Sequence, residues 1–256
     1  MNTLALRFGR LLLGLSLAFA LLAFVALPIA AAAIGPALIR SAGLSSSDLS
    51  VSLSTGPALL IGRVDALAAR SGPLSVEGRF AAADAQITLR DVSLPDHTFG
   101  SLDISSSDIT ATFASGQIVT ARSLVASGPA ADVTATAHFS AADLTAILGQ
   151  PGTADRLGFS ATSVQLGNGA IVLGTSTGDI LVRLAIAPSG DLLLQRAGLP
   201  DRVLWAAVGS DAQDWRLVSV SVDPDGLTLV AHFDVAAFLA RYPSLGDLVS
   251  GFSPAH

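Results

Sequence analysis

From Leu49 onward apolar and polar positions alternate with a period of two, the pattern of strands that turn one face to a core and the other to water. Leu49, Val51 and Leu53 alternate with Asp48, Ser50, Ser52 and Ser54, and Ala85, Ile87 and Leu89 alternate with Asp84, Gln86, Thr88 and Arg90. Leu102 and Ile104 lead to Ile109, Ala111 and Phe113. Val133, Ala135, Ala137 and Phe139 follow, then Ile180, Val182, Leu184 and Ile186. The last strands predicted are Leu217–Val222 and Leu227–Phe233. Polar turns separate them: Ser115-Gly116, Gly167-Asn168-Gly169, Ser189-Gly190-Asp191 and Asp223-Pro224-Asp225-Gly226 supply the backbone angles that hairpins require. The pattern predicts a mostly β (α+β) domain over residues 41–256, built on an antiparallel, meandering sheet.

Helical signals are few. Ser140 offers a hydroxyl to free backbone N–H groups, Asp143 follows near the positive helix end, and Leu144, Ile147 and Leu148 form an apolar stripe that Gly149 and Pro151 stop. A second helix is expected to start at Asp234, carry Val235, Phe238 and Leu239 on one face, and halt at Pro243. Both follow the same tripeptide, Ala137-His138-Phe139 and Ala231-His232-Phe233, so a strand ending in Ala-His-Phe and running into a short helix occurs twice. A third helix is predicted over Asp201–Val208, with Leu204, Trp205 and Val208 as its apolar residues.

The first forty residues break the alternation. Arg7 and Arg10 precede a run from Leu11 to Ile39 without a charge, long enough as a helix to cross a hydrocarbon layer of roughly 30 Å. Positive charge on its N-terminal flank places that end in the cytoplasm and the rest of the chain outside it. Residues 1–40 therefore read as a signal peptide or a single transmembrane anchor. Pro28 and the alanines at 30–33 resemble a cleavage site, while the length of the run favours a retained anchor. The expected location is the plasma membrane, single-pass with the domain extracytoplasmic, or secreted after cleavage.

Composition narrows the chemistry. The 256 residues carry 14 basic side chains, all arginine, against 20 acidic ones. The arginines are scattered singly, so no basic stripe exists for a phosphate backbone and nucleic acid is excluded as a partner. Cysteine is absent, which removes disulfides, thiol catalysis and cysteine-ligated zinc. The histidines His97, His138, His232 and His256 are not at ligand spacing, and nothing asks for a metal or cofactor.

Enzyme motifs fail on context. Gly174-Thr175-Ser176-Thr177-Gly178 fits the nucleophile-elbow pattern, but the alternating segment Asp179–Leu184 follows it where an elbow needs a helix, so the glycines are read as a hairpin turn and Ser176 with His232 as no catalytic pair. The acids of Asp223-Pro224-Asp225-Gly226 lack the downstream ligands of a calcium loop. Gly167 and Gly169 lack the third glycine and the helix of a phosphate-binding fingerprint. The chain is read as non-enzymatic.

Gly62-Arg63-Val64-Asp65-Ala66-Leu67, Ala121-Arg122-Ser123-Leu124-Val125-Ala126, Ser140-Ala141-Ala142-Asp143-Leu144 and the closing segment from Leu217 to Leu229 occur in an order that resembles the LmeA-type phospholipid-binding family of actinobacteria. The Ala-rich stretch Arg79–Asp84 departs from it, being longer and more polar. The resemblance implies a curved antiparallel sheet wrapping short helices, similar to tubular lipid-binding folds, that holds phospholipid in the cell envelope with the plasma membrane as partner. Its groove walls would be Ile180, Val182, Leu184 and Ile186, with Phe139, Leu144, Ile147, Leu148, Phe233, Phe238 and Leu239 from the two strand-helix junctions. Trp205, Trp215 and Tyr242 suit a membrane interface and suit a core equally. Periodicity does not distinguish a filled sheet from a hollow one. The same residues also read as the solid core of an envelope interaction module that meets a partner through its sheet edges.

Overall fold

The structure, a computed structural model, describes residues 44–46, 48, 50–76, 80–93, 95–96, 98–112, 118–150, 153–154, 157–188, 192–197, 203–207 and 215–237. The N-terminal run, the His97 and His256 side chains, and the helix predicted beyond residue 237 lie outside them. Among the described residues no helix is long and apolar enough to cross a membrane.

The architecture is mostly β, with two antiparallel sheets, neither closed. In chain order the first sheet takes β1 (Leu44–Ser46), β2 (Ser50–Ser54), β3 (Arg63–Ser71), β4 (Leu74–Val76), β5 (Phe80–Ala82), β6 (Asp84–Ser93), β7 (Ser101–Thr112), β8 (Ile118–Pro129) and β9 (Val133–Phe139). Helix α1 (Ala141–Leu148) follows, then a second sheet of β10 (Ala161–Gly167), β11 (Ala170–Thr175), β12 (Gly178–Ile186), β13 (Leu192–Arg196) and β14 (Val203–Ala207). The chain then returns to the first sheet as β15 (Trp215–Asp223) and β16 (Gly226–Phe233), with β16 beside β9 and β15 outermost.

Several short strands are halves of longer ones. Four residues back from Ser50 on one strand, and four on from Arg70 along its partner, the pair Ser50↔Arg70 of β2–β3 becomes Ser46↔Leu74 of β1–β4. Asp84↔Ser107 of β6–β7 likewise becomes Phe80↔Ala111 of β5–β7. The first sheet is thus a meander of long strands interrupted at a shared level, with bends at Asp48, Gly72, Pro73 and Ala83.

Burial follows the same plan. Val64, Leu67, Ala69, Ser71 and Leu74 are buried along one long strand, Ala82, Ala85, Ile87, Leu89 and Val92 along the next, and Phe99, Leu102, Ile104, Ser106 and Ile109 along the third. In each case the inward positions step by three, two, two and three residues. The steps of three fall side by side and define two fold lines across the strands, one through Asp65, Asp91 and Gly100, the other through Gly72, Asp84 and Ser107. The only non-glycine residues with positive φ among those described stand at these lines, Asp91 (φ 54) and Asp108 (φ 47). An extra residue in this conformation bends a strand and re-aims its side chains. Because all three neighbours take the extra residue at the same level, pairing stays in register. The second line is pinned by Ala83 N donating to Ser107 O at 3.0 Å and by the Ser107 hydroxyl donating to Asp84 Oδ2 at 2.8 Å. All the inward apolar residues but Ala69 join one core cluster.

Two expectations are corrected. Residues 203–207, within the predicted helix Asp201–Val208, form strand β14, paired with β13 through Leu192↔Ala207 and Leu194↔Trp205. Val203 and Trp205 favour a pleated surface, and the open edge of β13 supplies the ladder that local helical spacing could not outweigh. Val51 and Leu53 do not face a core: β2 is exposed at every position because, among the described residues, β3 is the one element that packs closely on it and nothing covers its faces.

Candidate functional site

The candidate groove residues are placed by two neighbouring structures, the central strand pair with its helix and the seam between the sheets. β9 and β16 pair antiparallel from Leu227↔Phe139 to Phe233↔Val133. Phe139 and Phe233 therefore sit at opposite ends of the pair, both buried, at 4% and 5% exposure. His138 pairs across with Thr228 and His232 with Thr134, so a local two-fold axis relates the two Ala-His-Phe segments and the histidines stand apart. The His138 ring nitrogen Nδ1 lies 3.1 Å from Thr228 Oγ1, and His232 Nδ1 lies 2.6 Å from Asp132 Oδ1. This is the arrangement of two separate histidines.

Helix α1 starts as its sequence requires. Ser140 accepts from Asp143 N at 3.2 Å while Asp143 Oδ2 accepts from Ser140 N at 2.8 Å, a reciprocal capping box. The helix buries Leu144, Ile147 and Leu148 and packs on β8, β9 and β10. At the other end of the strand pair residues 235–237 are helical, with Ala237 N donating to Asp234 Oδ1 at 2.8 Å and Val235 buried. Phe238 and Leu239 lie outside the described residues.

β12 carries the remaining candidates and packs on β15, where the second sheet meets the edge of the first without a ladder. Val182 is fully buried, whereas Ile180, Leu184 and Ile186 are only partly covered as they pack on the core. Val220 and Val222 of β15, the strand that β12 meets, and Leu166 of β10, in the same sheet as β12, are also partly covered against the core. Sequence reasoning missed these three. Val220 and Val222 alternate within the predicted last hairpin, and a search for partners to β12 among the apolar residues of that hairpin would have found them. Gly169 N, in the turn between β10 and β11, donates to Val222 O at 2.8 Å and ties the second sheet to β15.

The candidates thus divide. Phe139, Leu144, Ile147, Leu148, Val182 and Phe233 are buried in the continuous core, and Ile180, Leu184 and Ile186 pack against it partly covered, on the strand that meets β15. Trp205 and Trp215 fall in β14 and β15, and Tyr242 lies outside the described residues.

The motifs set aside on sequence behave as turns. Thr175↔Gly178 closes the β11–β12 hairpin around Ser176 and Thr177, with Gly178 at φ 122, and a strand follows it. Asn168 and Gly169 close β10–β11, with Gly169 at φ 73. Asp223 Oδ1 accepts from the backbone N–H groups of Asp225 and Gly226, at 2.9 and 3.0 Å, so its carboxylate holds the turn. Among the described residues no three acidic or histidine side chains are grouped to hold a metal ion. No family model, curated protein or solved structure matches the chain.

Proposed function

We propose that the chain binds phospholipid, and passes it on, at the outer face of the plasma membrane, taking an acyl chain along the seam between β12 and β15. In this reading the sheet is curved around its short helices in the manner of tubular lipid-binding folds, as the resemblance to the LmeA-type family implies, and the protein serves cell-envelope glycolipid assembly. The observation that carries it is the set of incompletely covered aliphatic side chains Ile180, Leu184 and Ile186 on β12 and Val220 and Val222 on β15, two strands that pack together without a ladder, with Leu166 on β10. An acyl chain fits that chemistry because it makes no polar demand on the walls.

The energetics suit a carrier. Burying a CH₂ group gains about 0.8 kcal/mol, so a sixteen-carbon tail gains roughly 12 kcal/mol in any apolar sleeve. A bilayer offers the same, so transfer between the two is near thermoneutral and needs no energy source. Headgroups stay in water at the mouth, consistent with a binding protein that carries few charged residues.

Native mass spectrometry of the full-length chain released from detergent micelles tests the reading. The expected result is phospholipid adducts in the wild type that Leu184→Asp loses. Identical adducts in both proteins would overturn it, since the lipid would then be held elsewhere. A second reading, an envelope module without a lipid ligand, draws on the close packing of Phe139, Leu144, Ile147, Leu148, Val182 and Phe233 in one core, and would be favoured by a chain free of lipid.

A further inference from the structure

Large apolar side chains are exposed at nine described positions, and five of them fall within residues 51–61: Val51, Leu53, Leu59, Leu60 and Ile61. Leu60 is 94% exposed and Ile61 67%. Val51 and Leu53 lie on β2, and Leu59, Leu60 and Ile61 on the short 3-10 turn Pro57–Ile61 that carries the chain from β2 to β3. Soluble sheets commonly blunt an edge with lysine, proline or a bulge. β2 reads Ser-Val-Ser-Leu-Ser and has none of these within it.

We infer that this edge seats on the bilayer, with Leu60 and Ile61 entering the boundary between headgroups and acyl chains. The inference rests on the membrane reading above, and the chain itself indicates the occupant. The uncharged run ends at Ile39, and the strand line that becomes β2 starts at Leu44. Five residues reach at most roughly 18 Å when extended, so the start of this edge at Leu44 is held close to the membrane, and an edge lying along the surface brings the turn Pro57–Ile61 at its far end down to it as well. Arg63 stands exposed on the adjacent β3 two residues past the turn, with Asp65 exposed beside it, and Arg70 stands exposed towards the other end of the edge, opposite Ser50, so that each end offers a guanidinium to anionic lipid phosphates. A seam that exchanges lipid also needs the domain held against its source. This edge would hold it there.

The absence of cysteine makes the test direct. Full-length chains carrying Leu60→Cys or, as a control in the β11–β12 turn, Ser176→Cys are labelled with an environment-sensitive fluorophore. They are then placed in vesicles of phosphatidylcholine and phosphatidylglycerol containing acyl-chain nitroxide lipids. The expected result is severalfold stronger nitroxide quenching at position 60 than at 176, and severalfold weaker quenching by aqueous iodide. Equal quenching at the two sites would overturn the inference. Shielding from iodide without nitroxide quenching would also overturn it, in favour of a protein partner or a second copy on the edge. Nitroxide-quenched position 60 in a protein free of lipid adducts would leave the docking edge standing and remove the carrier function. The opposite combination would do the reverse.

Discussion

Gly226 sits where no side chain fits. A Cβ there would come within 2.3 Å of His138 Cε1 and 2.9 Å of the Phe139 carbonyl, so the turn from β15 can pass beneath the His138 ring only as glycine. Gly226→Ala is expected to lower stability by about 1–3 kcal/mol through this overpacking, read as a lower denaturant midpoint. Exposure sets a contrast between two leucines. Leu89 is at 0% exposure in the sheet core, and Leu89→Ala should cost about 2–5 kcal/mol in transfer and cavity terms. Leu60→Ser removes a side chain that touches little within the domain, and in the absence of membrane should change stability by less than about 0.5 kcal/mol. Chemical denaturation of both variants side by side checks the pair. Ser140→Ala, which deletes one half of the capping box on α1, is expected to cost about 1 kcal/mol in the same assay.

At the scale of elements, the fold lines decide the shape of the first sheet. Asp108, at φ 47, holds a conformation that a β-branched side chain resists. Asp108→Val should therefore destabilise by about 1–2 kcal/mol, while Asp108→Gly should be close to neutral or stabilising. The reverse order in thermal melts would mean that the bend is imposed by neighbouring strands and owes nothing to this residue. The alternation from Ala85 to Leu89, from Val133 to Phe139 and from Leu227 to Phe233 was enough to find β6, β9 and β16, and Ser140 with Asp143 was enough to find the start of α1. The fold lines were hidden by the same alternation. A period-two reading breaks wherever inward positions step by three, so it does not account for the five-residue gap between Ile104 and Ile109, although one strand carries both. The signal was present as one spacing repeated in three segments, from Val64 to Leu74, Ala82 to Val92 and Phe99 to Ile109. Residues 203–207 were misread because Leu204, Trp205 and Val208 mimic a helical stripe, while the partner strand that makes β14 is known only from the tertiary fold. The candidate walls were legible as apolar faces, but which of them would be covered depends on how two sheets meet, and no local pattern carries that.

For the whole molecule, two antiparallel sheets share one apolar core, and among the described residues aliphatic side chains are incompletely covered where β12 meets β15 and along the edge from β2 to Ile61. The proposed function assigns lipid to the first and the bilayer surface to the second, so that one edge holds the domain at the source of what the seam accepts. Photo-crosslinking separates the two directly. The full-length chain is placed in vesicles containing phosphatidylglycerol with a diazirine near the end of one acyl chain, irradiated and digested, and the labelled peptides are mapped. The account predicts labels within Gly178–Ile186 and Trp215–Asp223, reduced in Leu184→Asp, in addition to those on the apolar run 11–39. Labels confined to residues 1–61 would contradict it.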